Sequence, residues 1–220
     1  MAQAPTRTRH PLAPLDRDEL TEAVAILRGA TPEGAWDDRR FRFVEVALRE
    51  PAKADLIAAE AAGATDGLPR EARAVIIDRV ARKTVVAIVS LTTGQIVSWD
   101  QLAEGEAPLT LEEILECERA CREDSAFQAA MHRRGITDLD LVWVDPWPFG
   151  LYDDESDLLG RRLTRGLVWV RASEDDENGY AHPVENVIVI FDLNDMAVVR
   201  VDDFGVVPVE NSTEGVVTRS

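Results

Sequence analysis

Lysine is nearly missing from this 220-residue chain: Lys53 and Lys83 are the only two, and every other basic residue is arginine. That skew points to a GC-rich coding sequence and suits a high-salt cytoplasm; it says nothing about catalysis. Cysteine is as scarce, with Cys117 and Cys121 alone. Two thiols make no disulfide framework, so a cytoplasmic location is expected. Long apolar runs are absent too. None approaches the ~20 residues of a membrane span, and Met1–Pro11 has no apolar core of the kind a secretion signal needs; residues 1–10 read as a flexible arm. Positive charge is in deficit, with 24 Lys and Arg against 41 Asp and Glu and a net charge of −17. Phosphate binding depends on basic residues, so no nucleic-acid partner is expected, and no anionic membrane surface. A solvated acidic surface is the plain reading of the charge, and weak attraction of a cationic substrate the sharper one.

What the chain does contain is a duplicated pattern. Pro14-Leu15-Asp16-Arg17-Asp18-Glu19-Leu20 returns as Pro108-Leu109-Thr110-Leu111-Glu112-Glu113-Ile114. Each copy sets a helix-capping residue, Asp16 or Thr110, three positions before a glutamate; Thr110 and Glu113 are the sequence form of a capping box, and Asp16 with Glu19 is a near variant. Leu20, Ala23, Val24 and Leu27 then recur at helical spacing up to Gly29, and Leu111, Ile114, Cys117 and Cys121 do the same in the second copy. A further helix runs from Asp124 to Gly135 with Phe127, Ala130 and Met131 on its apolar face. The copies also end alike. Ile88–Asp100 and Ile190–Asp202 each read as strand, polar turn and strand, with Gly94 in the first turn and Asn194-Asp195 in the second. Phe41–Leu48 and Ala72–Ile77 supply two more strands to the first copy, Leu141–Val144 and Gly166–Val170 to the second. Ala52–Ala62, compatible with a helix, interrupts the first. A helical region followed by about four strands, twice over, predicts an α+β fold with antiparallel sheets. The domains are placed at 11–104 and 105–208, with a tail at 209–220.

The segment Leu141–Gly150 runs from a strand into a corner of two prolines and two large aromatics. Proline fixes φ and removes a donor, so pairing is expected to end near Pro146 and Pro148, with Trp147 and Phe149 presented from a rigid turn. Such a corner can close a core, cap an interface or line a ligand passage. The remaining chemistry is thin. Cys117 and Cys121 share a helix face with the apolar stripe and read as buried thiols, since no second ligand pair stands at zinc-like spacing. His10, His132 and His182 are the only histidines, and His182, before Pro183, reads as a hydrogen-bonded structural residue. No nucleophile elbow or glycine-rich phosphate loop is present, and the acids are too many to single out a catalytic pair.

Specific strings resemble the region ahead of the catalytic domain in copper-containing primary-amine oxidases. They are His10-Pro11-Leu12 with Pro14-Leu15, Phe43–Pro51, Leu109–Glu113, Asp140–Pro148, Gly179–Val184 and Asp203–Pro208, in order over about residues 10–209. The resemblance implies two small cystatin-like α+β domains, each a helical segment on a roughly four-stranded sheet. It implies membership of a homodimeric enzyme that turns primary amines, oxygen and water into aldehyde, ammonia and hydrogen peroxide with copper and topaquinone. It also implies that Pro146 and Trp147, with Ile114 at the start of the second domain's helix, form part of a substrate-channel wall.

The family's quinone tyrosine lies in an Asn-Tyr-Asp/Glu motif, whereas the tyrosines here stand in Leu151-Tyr152-Asp153 and Gly179-Tyr180-Ala181. The copper site needs a His-x-His pair and a third histidine, which the three here do not supply. The resemblance therefore implies no catalytic residue, metal site or cofactor within this chain. Its partner is a catalytic domain, on the same or a separate chain, and the amine substrate meets it through the channel wall. The alternative is a stand-alone cystatin-like binding module without activity.

Overall fold

The computed structural model describes residues 10–29, 31–32, 34–150, 158 and 160–209. Most of the expected arm and tail, and the Leu151-Tyr152-Asp153 string, lie outside the described residues. The chain divides into two compact units, Met1–Pro108 and Leu109–Ser220.

In the first unit α1 (Arg17–Gly29) precedes β1 (Phe41–Arg49), α2 (Lys53–Ala62), β2 (Glu71–Asp78), β3 (Lys83–Ser90) and β4 (Gln95–Gln101). The four strands form one antiparallel sheet in the order β1-β2-β3-β4. The core lies where Ala23 and Leu27 of α1 meet Ala72, Ala74 and Ile76 of β2 and Val85, Ala87 and Val89 of β3. The alternation of β2 and β3 thus puts one row of side chains under the helix. The alanine-rich segment is the helix α2, which buries none of its residues and ends at Gly63 in the left-handed conformation, as helix stops often do.

The second unit repeats the plan with two helices in succession, α3 (Leu111–Glu123) and α4 (Ser125–Arg133), then β5 (Val142–Pro148), β6 (Leu163–Val170), β7 (Pro183–Asp192) and β8 (Ala197–Asp203). Its sheet is also antiparallel, ordered β5-β6-β7-β8. Cys117, Cys121, Phe127, Ala130 and Met131 from the helices close on Val142, Val144, Val168, Val170, Val189 and Phe191. Together the two units are the α+β architecture expected from the repeat. The hairpin turns correspond as well: Gly94 is left-handed at φ 68°, and Met196, at the matching place, takes φ 50° without being glycine.

One feature of α3 departs from its apolar pattern. Leu111 and Leu115 are exposed, and the side chain buried on the first turn is Glu113, 2% accessible. The cause is a double role. Glu113 completes the capping box, its carboxylate accepting from Thr110 N at 3.0 Å while Thr110 Oγ1 accepts from Glu113 N at 3.2 Å. The same carboxylate takes both terminal nitrogens of Arg162, itself 4% accessible and placed just ahead of β6, one of them at 3.0 Å. The first unit has the same device: Glu19 caps with Asp16 and takes Arg70, just ahead of β2, at 2.8 and 3.0 Å.

A second charged tie closes the far side of the second unit. Arg134, at the end of α4, reaches Asp203 at the end of β8 (2.8 Å) and the carbonyls of Asn186 and Gly205. Arg134, and Arg133 beside it, hold the Asp203 carboxyl well below the usual carboxylate range. A depressed carboxylate contributes stability that is complete above the unfolded value of about 4 and is lost as pH falls toward the folded value.

Two outcomes are expected. Glu113→Ala takes from the buried Arg162 the carboxylate that holds both its terminal nitrogens and costs about 3–5 kcal/mol in urea unfolding, against about 1 kcal/mol for Thr110→Ala, which removes only a cap. Asp203→Asn flattens the fall in unfolding midpoint seen for the unaltered chain between neutral pH and about pH 2.

Candidate functional site

The strand β5 carries the candidate residues, and its position explains its sequence. It is the edge of its sheet, paired only with β6, and the register continues through Pro146↔Gly166 and Pro148↔Thr164. Pairing ends at Pro148, as expected, but it continues through Pro146 and Trp147 to get there. An edge strand turns alternate N–H groups away from its neighbour, and at those positions proline removes nothing from the ladder. Trp147 consequently stands on a strand and not in a turn. Phe149 follows it, half-buried, with the Arg165 guanidinium 4.3 Å over its ring.

Alternation then divides the residues between two faces. Val142, Val144 and Pro146 point to the helix-covered side and are buried, whereas Trp143, Asp145 and Trp147 point the other way. Gly166, opposite Pro146, leaves room for the core, since a Cβ there would lie 2.8 Å from Val144 Cγ1.

On the outer face the rings converge. Trp143 is the register partner of Trp169, and Tyr180 lies against both, with centroids 5.2 and 5.0 Å away. Tyr180 comes from the loop between β6 and β7. That loop is fixed by Asp176, which accepts from Ala172 N and Asn178 N, and by the bond from Val170 N to His182 O. Gly179 makes the approach possible, since a Cβ there would fall 2.3 Å from the Trp143 ring. Between the rings sits Asp145. Its Oδ2 accepts from Trp147 Nε1 at 3.0 Å and from the Tyr180 hydroxyl at 3.1 Å. Trp147 and Tyr180 nevertheless remain 56% and 50% exposed. Desolvation, then the Asp145 charge and hydrogen bond, push the Tyr180 phenol above its ordinary value.

The three residues expected from sequence share one end of the unit. Glu113, next to Ile114, reaches Arg162 immediately before β6, and Pro148 is paired two residues further on. Ile114 is half-buried on the first turn of α3, Pro146 is buried under the helix side and Trp147 is open on the other face. Sequence reasoning passed over Asp145 and Tyr180. Their signal was the alternation Trp-x-Asp-x-Trp, but Tyr180 stands 35 residues on and joins them only through the loop's return.

The other candidates are structural. Cys117 and Cys121 are fully buried free thiols, and the Cys117 contact, with burial, drives the Cys121 thiol strongly upward, so it is no thiolate. His10 lies 3.5 Å from Glu60, His132 is exposed at the end of α4, and His182 is buried beside Pro183. Among the described residues no three His, Cys, Asp or Glu side chains group as metal ligands, so these residues do not fit a copper site. A cleft of about 770 Å³ in the first unit, between the end of α1 and β4, is lined by Ile26, Thr31, Ile96, Trp99 and neighbours, none of them ionisable.

The phenol provides a direct check on the outer-face geometry. In a Tyr152→Phe background, Asp145→Asn should bring the Tyr180 ultraviolet titration down toward the ordinary tyrosine value of about 10; an unmoved midpoint would break the link between the two side chains.

Two family descriptions match this chain: "Copper amine oxidase, N2 domain" over residues 10–102 and "Copper amine oxidase, N3 domain" over residues 112–215. The second continues past Val209, where the string similarity stops. A primary amine oxidase of Arthrobacter sp. (strain P1) is 46% identical over 204 residues, covering 92% of this chain and 30% of that protein. A peroxisomal copper-containing diamine oxidase of Nicotiana tabacum is 36% identical over 235 residues, covering 92% and 29%. The chain thus spans less than a third of the length of these relatives. The crystal structure of a copper-containing benzylamine oxidase from Hansenula polymorpha shares the fold, with a TM-score of 0.71 at 22% identity over 94% of this chain and 33% of that one. The duplicated helix-and-sheet units are accordingly N2 and N3 domains, and the chain belongs to the copper amine oxidase family.

Proposed function

We propose that these two domains supply the scaffold and one wall of the substrate passage in a copper and topaquinone primary-amine oxidase, a homodimer that converts amines to aldehyde, ammonia and hydrogen peroxide. Oxidation belongs to a catalytic region, because neither the copper histidines nor the quinone tyrosine motif is present in these 220 residues. The observation that carries the reading is Trp147: a large aromatic held by Asp145 on a proline-stiffened edge strand, yet more than half exposed. It shares the outer face of β5 with Trp143, and Asp145 ties it to Tyr180, which packs on Trp143 and Trp169; a grouped aromatic surface, unlike a lone exposed ring, is the kind that meets a ligand or partner. Pro146 fixes the strand beneath it, and Ile114 lies at the same end of the domain. The chain's own contribution is to orient and admit the amine.

The test joins this chain to the catalytic region of the Arthrobacter primary amine oxidase and compares methylamine with benzylamine. Trp147→Ala should change the ratio of the two kcat/KM values by about tenfold, the scale of losing one apolar contact in a passage. An identical ratio would count against the wall and favour a stand-alone cystatin-like module.

A further inference from the structure

The loop between β6 and β7 carries a reaction of its own, and we propose that Asn178 is a site of spontaneous deamidation whose isoaspartate product releases the loop from the sheet. The chain has four asparagines, Asn178, Asn186, Asn194 and Asn211, and Asn178 alone precedes a glycine. Position 179 has no room for a side chain. Its φ lies outside the left-handed region, but a Cβ would fall 2.3 Å from Trp143 Cε3 and 2.5 Å from Cζ3. Packing on Trp143 therefore imposes the glycine, and the glycine leaves Asn178 beside the least hindered backbone nitrogen a chain can offer.

The two reacting groups are free within a loop that is otherwise tied. Asn178 is exposed. Its backbone N–H donates to Asp176 Oδ1 at 3.0 Å, and its carbonyl accepts from Ala181 N at 3.1 Å. Among the described residues, neither its carboxamide nor the Gly179 N–H has a hydrogen-bond partner. Adjacency makes the attack intramolecular. The Gly179 nitrogen adds to Asn178 Cγ; the new C–N bond closes a cyclic imide, the Cγ–Nδ2 bond breaks, and ammonia departs with the Gly179 proton. Water then opens the ring at either carbonyl, giving aspartate or isoaspartate with no change of oxidation state. The comparable pair Asp66-Gly67 lacks the free nitrogen, because the Gly67 N–H donates to Ala64 O at 3.1 Å in the short 3₁₀ helix Thr65–Gly67.

Isoaspartate inserts a methylene, about 1.5 Å of extra main chain, and takes out of the main chain the carbonyl that accepts from Ala181 N. Gly179 is the next residue and lies directly against the Trp143 ring, so that contact and the Asp176 turn no longer fit together. Tyr180 moves with it, and the ring contacts to Trp143 and Trp169 and the bond to Asp145 are lost. Aspartate keeps the native main chain and leaves all of these in place. The direction of ring opening at Asn178 thus decides whether the loop stays closed on the sheet, whatever that face meets.

The experiment needs only this chain, aged in warm, mildly alkaline buffer and sampled over days. Peptide mass spectrometry follows the amide-to-acid mass gain at each asparagine, enzymatic methylation locates isoaspartate, and NMR follows the tryptophan indole N–H signals. Asn178 should convert ahead of Asn186 and Asn194, isoaspartate should map to position 178 and not to Asp66, and the Trp143 and Trp169 signals should gain a second set in proportion to it. Asn178→Gln should lose both the conversion and the second set, and freshly prepared Asn178→Asp should keep the native signals. An Asn178 that outlasts Asn186 or Asn194, or isoaspartate arising first at Asp66, would overturn the site. Indole signals unmoved in the isoaspartate form, a second set arising in aged Asn178→Gln, or displaced signals in fresh Asn178→Asp would each overturn the release.

Discussion

The interaction on which each domain depends is a single glutamate doing two jobs at a helix start. Glu19 and Glu113 each close a capping box, and each is also gripped through both carboxylate oxygens by an arginine standing just ahead of the second strand of its sheet. A capping box alone fixes where a helix begins. The bidentate arginine fixes which strand that beginning faces, because two parallel bonds leave the guanidinium little rotational freedom. Helix position, strand register and the end of the domain where the candidate residues gather all follow. In the second domain the pair is almost wholly withdrawn from water.

Much of this was legible in sequence. The Asp16/Glu19 and Thr110/Glu113 spacings marked both helix starts, and the paired hairpins identified the repeat. Legibility failed where one residue type had two explanations. Leu111, Ile114, Cys117 and Cys121 read as an apolar stripe, yet Glu113 took the buried place on the first turn, since only the arginine 49 residues away makes a buried carboxylate tolerable. The prolines of β5 marked the strand's end but not that Pro146 and Trp147 still pair, because a proline's effect depends on whether a strand is central or at an edge, which is a property of the whole sheet. Trp147 and Pro146 were found; Asp145 was one acid among 41 Asp and Glu, and only its position between two donors set it apart.

The acidic composition acquires a local meaning in the second domain. Several of its carboxylates are held by arginine: Glu113 by Arg162, Asp192 by Arg161, and Asp203 by Arg133 and Arg134. Each such pair adds nothing to the net charge, so the −17 resides on carboxylates outside these pairs.

The two prolines of β5 have one more consequence. An unpaired edge strand is a template on which another chain can add by backbone hydrogen bonding, and long apolar edges invite it. Val142-Trp143-Val144 at an edge would be such a template, but Pro146 and Pro148 withdraw two donors from the outward row beyond it. The same residues that stiffen the strand beneath Trp147 thereby interrupt any growing sheet, so this edge is a poor template for a second copy of the chain.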